Sequence, residues 1–153
     1  MDSTTVIQVS RAPAPVQLAR ALLVLVAVSH LVTPMVMRAG QSALRDQIAS
    51  QHPDFGAAEV RRSADIAVTS GAAFHGLLLV LCVVLAWKLA TARPWTRRLA
   101  TASQLLSVVF SVVSWSSSPM FHAVIPIIGA AQILIVALLW APRPAREFFA
   151  KRR

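Results

Sequence analysis

The sequence predicts an all-α protein: a four-helix transmembrane bundle, both termini cytoplasmic, with a small helical extracytoplasmic cap between its first two spans. Three observations predict it. The 153 residues are 56% hydrophobic and only 14% charged, with a mean hydropathy of +0.64, where a soluble domain carries roughly a quarter charged residues. Apolar runs cover residues 21–37, 66–87, 99–115 and 119–140, each close to the ~20 residues that cross a bilayer core. Finally, the basic residues sort by side. With four spans, eleven of the fifteen fall at the ends that share a side with the termini. The other four, Arg38, Arg45, Arg61 and Arg62, are matched by Asp46, Asp54, Glu59 and Asp65. The positive-inside rule then puts the termini in the cytoplasm of a multi-pass plasma (inner) membrane protein.

Residues 1–16, with two Ala-Pro pairs, read as a disordered cytoplasmic arm. Residues 17–142 form one membrane domain, and residues 143–153 form a basic cytoplasmic tail. The first apolar run follows Arg11 and Arg20 as a signal-peptide core would, but MVMRAGQ is a poor cleavage sequence, so the run is an uncleaved span.

The outer cap, residues 39–65, predicts two helices. One covers residues 42–52, with Leu44 and Ile48 on one face and Pro53 as its stop. The next starts near Gly56 and runs into the second span without a breaker before Gly71, which lifts it above the membrane. Arg61 with Asp65 and Glu59 with Arg62 have the spacing of surface ion pairs along it. Trp87, Trp95, Trp115 and Trp140 fall at span ends, where the interface favours indoles.

From Leu99 to Pro142 the chain holds no charged residue, over about twice the length of one span. A turn must divide it. Ser118 before Pro119 is a helix-start pattern, because the serine hydroxyl accepts an orphan N–H and proline at the first position has none to leave unpaired. The fourth helix is expected from Pro119, after a tight turn over residues 116–118. Polar residues of the third span, Gln104, Ser107, Ser111 and Ser114, recur at helical spacing on one face. With His122 they form a seam for helix packing, preferred over a polar groove for water or a headgroup.

His30 and His75 lie about 10 and 14 Å below the outer surface at 1.5 Å per residue, at comparable depth in neighbouring helices. Gly71, Ala72 and Cys82 are expected on the His75 face, turned toward a neighbour. Pro34 follows His30 by four and should free its carbonyl and kink the helix, and Pro126 stands likewise to His122. Two such histidines can hydrogen-bond across the interface, the preferred reading, or they can hold a b-type haem iron, a metal or a small ligand in a redox module, or relay protons.

Several function classes find little support in the sequence. The net charge of +9 flanks membrane runs instead of forming a basic domain, so no nucleic acid is expected. The single Cys82 rules out an intramolecular disulfide and any CxxC site. No Asp, Glu, Lys or Arg lies within a span, leaving neither a carboxylate pair for acid–base catalysis nor an ion pair for coupled transport. Serines 114–118 with His122 lack an acid to orient the histidine. The expectation is a non-enzymatic accessory or stabilising subunit of a larger membrane assembly, without cofactor or metal, whose partners are the bilayer and other subunits or copies of itself.

The pieces ARPWTRR, WAPRPAREFF and HPDFGAAEV resemble small four-span integral membrane proteins of unknown function that are frequent in actinobacteria. The likeness covers about residues 50–150. It implies a basic, Trp-containing cytoplasmic link and a basic aromatic terminal segment, and carries no activity onto any residue here.

Overall fold

A computed structural model of the chain describes residues 12–115 and 121–150. Among these residues the protein is helical, without strands: α1 (Ala14–Ala39), α2 (Gln41–Gln51), α3 (Ala57–Lys88), α4 (Pro94–Ser114), α5 (Val124–Trp140) and α6 (Arg143–Ala150). A 3-10 turn, Leu89–Thr91, links α3 to α4. α1 packs along both α3 and α5, and α4 lies along α5 and meets α3 more loosely. α2 sits at one end of this group, the cap end, against α3. The α3–α4 turn and α6 sit at the other, the tail end.

α1 begins within the expected arm, at Ala14, because Pro13 and Pro15 occupy positions where a helix start has no use for their missing N–H. Its 26 residues span about 39 Å, and the 32 of α3 about 48 Å. Both are long and apolar enough to cross a membrane. α5 with α6, bent by 64° at Pro142, counts as a third if the bent pair is one span. The expected tail is thus helical through Ala150.

The cap follows its sequence pattern closely. α2 ends at Gln51, just before His52 and Pro53, and Leu44 and Ile48 are half-buried beside the α3 extension, where Val60, Ala64 and Val68 are buried. The α3 start is held by Glu59, whose carboxylate accepts the Gly56 N–H at 2.8 Å. The expected ion pairs along α3 give way to other partners. Glu59 is used by the backbone, and Asp65 turns to α2, meeting the Gln41 amide at 2.5 Å and Arg45 at 4.0 Å. A carboxylate between two helices reaches more donors than one on a solvated face.

Large apolar side chains cover the outside: Leu77, Val112, Val113 and Ile127 are each more than 65% exposed. Exposure on this scale marks a surface that meets a membrane or another protein. Leu105, Leu106, Val109 and Val113 of α4 all face outward, as their spacing predicts. Inside, the dry apolar packing gathers at the tail end, around Leu23, Leu85, Leu89, Ile135 and Leu139, all at most 1% exposed. The cap-end half is packed differently, around polar groups.

Candidate functional site

Within the cap-end half, α1, α3, α4 and α5 enclose a cavity of about 260 Å³. From Ser114 to Ser107 along α4, and from Val124 to Gln132 along α5, it extends about 10–12 Å. Phe74, Phe110 and Phe121 form much of its wall, with Phe74 and Phe110 edge to face at 5.7 Å. Toward the middle of the bundle it ends on polar side chains: His30, His75, Ser107 and Gln132.

His30 and His75 meet directly, Nδ1 to Nδ1 at 2.9 Å, with ring centroids 5.1 Å apart and planes tilted by 40°. One Nδ1–H therefore donates to the bare Nδ1 of the other ring. His30 is only 7% exposed, and its remaining nitrogen, Nε2, is buried with no hydrogen-bond partner. Gln132 is 1% exposed, and its Oε1 is likewise buried and unpaired. A buried polar atom without a partner costs about 1–3 kcal/mol. Both residues line the cavity, although these two atoms themselves are buried from it.

The serine face of α4 divides by depth. Ser107, Ser111 and Ser114 line the cavity. Gln104 lies below it, 1% exposed, its amide nitrogen 3.3 Å from the Ser103 hydroxyl and 3.9 Å from the Cys82 sulfur. Gln104 therefore belongs to the packed region, and the three serines to the open one. The Ser29 and Thr33 hydroxyls donate to the Val26 and Ser29 carbonyls, which leaves their oxygens as acceptors on the cavity wall.

His122 stands apart. It stacks on Trp115 at 4.2 Å, and its Nε2–H donates to the Trp115 carbonyl at 2.7 Å, an acceptor left free where α4 ends. It does not line the cavity. Replacing it by Ala is expected to cost about 0.5–1.5 kcal/mol through that one hydrogen bond, measured as thermal stability in detergent, and to leave ligand binding in the cavity unchanged.

Some expectations about this region are corrected. Ala72 is exposed, on the outer side of α3, while Gly71 and Cys82 turn inward. Pro34 lies inside α1, which runs on to Ala39, and having no N–H it leaves the His30 carbonyl without its helical donor, as expected. Pro126 lies in the first turn of α5, with His122 outside the helix, so its missing N–H removes no helical bond and the likeness to Pro34 ends there. Ser118, Pro119 and the turn over residues 116–118 lie outside the described residues, but the fourth helix expected from Pro119 is α-helical only from Val124, residues 121–123 being a turn.

The histidine pair as folded does not fit a haem iron. Metal–imidazole bonds are about 2.0–2.1 Å, so two axial nitrogens would stand about 4 Å apart across the metal, where these are in hydrogen-bond contact. Among the described residues no group of three or more His, Cys, Asp or Glu converges to hold a metal ion. The arrangement can bind and orient a neutral molecule, since no charged side chain lines it.

Sequence reasoning missed Gln132, Ser29 and Thr33. Gln132 is the only amide in the run from Pro126 to Trp140, and Ser29 and Thr33 flank His30 at one and three residues. Those signals were available. Compared with protein-family models, with curated proteins and with solved structures, the chain matches none.

Proposed function

We propose that the chain is a non-enzymatic, four-span protein of the plasma membrane, both ends cytoplasmic, that acts as an accessory subunit of a larger assembly and holds a small uncharged molecule in its cap-end cavity. On this reading α1, α3, α4 and α5 are the spans, and α2 with the first turns of α3 is the outer cap. The ligand reading is carried by one observation: an aromatic-walled cavity of about 260 Å³ whose inner end is lined by the polar residues His30, His75, Ser107 and Gln132. An occupant with a hydrogen-bonding head and a compact apolar body satisfies both parts of that lining. A charged one would meet no counter-ion there.

The test uses protein purified in detergent and two probes of nearly equal size, phenol and benzene. Phenol is expected to raise the thermal midpoint at concentrations where benzene does not, because its hydroxyl can pair with the floor. Equal responses, or none, overturn the reading. Ser107→Leu with Ser111→Leu supplies the complementary result. Leucines at a close helix contact would destabilise by overpacking, about 1–3 kcal/mol. Here they project into the cavity, so the double variant is expected to keep wild-type stability within about 1 kcal/mol and lose the phenol response. The subunit reading is tested by capture in mild detergent, where a stoichiometric membrane partner is expected, and a protein that is always recovered alone sinks it.

A further inference from the structure

At the tail end, far from the cavity just described, three arginines converge with no carboxylate among them. Arg97 of α4 lies with its guanidinium 3.5 Å from the centre of the Trp140 ring and 5.6 Å from that of Phe149. The two aromatic rings hold it. Trp140 is itself fixed, donating its indole N–H to the Thr101 hydroxyl at 2.7 Å. Arg98, exposed on the next residue, and Arg146, exposed on α6, line the same concavity of about 200 Å³.

The charges of this site are not balanced by any carboxylate among the described residues. Arg97 Nε is buried and has no hydrogen-bond partner. Arg146 brings a second positive charge to the same concavity. Glu147 is the only acid of the described residues at this end, and its carboxylate accepts from Arg143 Nε at 2.7 Å. The backbone brings the cations together deliberately enough to need a cause: the 64° bend at Pro142 folds α6 back, burying Ala145 and Phe149 and swinging Arg146 toward Arg97. Like charges so placed repel unless an anion sits between them.

We propose that the concavity between Arg97, Arg98 and Arg146 binds a phosphate group. Guanidinium groups match phosphate oxygens with paired N–H donors, and a cation stacked on aromatic rings keeps its N–H edge free for that purpose. Phosphate reaches this place from two sources. Trp140 and the amphipathic α6 mark the level of a membrane interface, where the headgroup of an anionic phospholipid stands. A free phosphate or a small phosphorylated solute arrives from water.

The experiment follows the thermal midpoint of the full chain in a zwitterionic detergent, titrated with phosphatidylglycerol, with phosphatidylcholine and with inorganic phosphate. A lipid site responds to phosphatidylglycerol at concentrations at least ten-fold below phosphatidylcholine and not to inorganic phosphate; a solute site responds to inorganic phosphate. Either result supports the phosphate assignment and names the source, provided Arg97→Gln and Arg146→Gln each weaken the response at least ten-fold while Arg61→Gln, at the cap end, leaves it alone. Arg146 is exposed, so its variant folds even if that of Arg97 does not. No response to either anion, or a response undiminished in Arg146→Gln, overturns the proposal.

Discussion

His75→Leu is expected to destabilise the protein more than His30→Leu, and the double variant is expected to cost less than the two singles added together. The reason lies in what each change leaves behind. Removing His75 strands a ring that is 7% exposed and already has one unpaired nitrogen, so both its nitrogens are then buried without partners. Removing His30 strands only half-buried His75, which borders the open cavity. Interhelical hydrogen bonds in membranes are worth about 0.6–2 kcal/mol, and the coupling in a double-mutant cycle should fall in that range because the pair touches directly. Phenol binding should fall at least ten-fold in His30→Leu, which removes the imidazole from the cavity lining. Unfolding of the four proteins in detergent measures the cycle, and strict additivity would mean that the 2.9 Å contact contributes nothing.

The paired histidines illustrate what a linear sequence can and cannot disclose. Depth was legible, since 1.5 Å per residue counted from the ends of the apolar runs puts both rings in one layer. Azimuth was not. Ala72 was expected beside His75 on the inner face and is exposed, which shows that a hundred degrees per residue, without known neighbours, places a side chain only coarsely. Local signals did better. Pro53 as a stop, Gly56 with Glu59 as a start and the outward Leu105, Leu106 and Val109 depend on a few adjacent residues. Asp65 was misjudged because its partners, Gln41 and Arg45, come from a different helix.

The serines of α4 show the same limit in a functional setting. Their common face is a local property and follows from spacing. Whether that face meets another helix or a void depends on how α1, α3 and α5 stand around it, and the answer differs along its length, packed at Gln104 and open from Ser107 outward. The arginine cluster was likewise visible only as a charge tally. Arg97 and Arg146 are 49 positions apart, and only the bend after Trp140 brings them into one concavity. In the tally they report topology; in the fold they also form a site.

A reporter enzyme active only in the cytoplasm is expected to be active when fused after Arg153 and inactive when inserted at His52. This is the largest difference the proposed function implies, in effect all or none. Its physical basis is the charge asymmetry between the ends of the helices. Arg20, Lys88, Arg93, Arg97, Arg98, Arg143 and Arg146 share the tail end, against four arginines and four acids from the last turn of α1 to the first turns of α3. Basic residues near span ends resist translocation, and acids contribute little to the choice. His52 closes α2 on an exposed turn, with Phe55 stacked on it at 4.6 Å, so an insertion there leaves the packed helices untouched. Adding arginines to the cap should weaken the asymmetry, and a variant carrying Asp46→Arg, Asp54→Arg and Gln51→Arg is expected to yield a mixed population with partial activity at both sites. Activity at His52 in the unaltered chain reverses every side assignment: the cavity would then open toward the cytoplasm and the arginine site toward the outer leaflet.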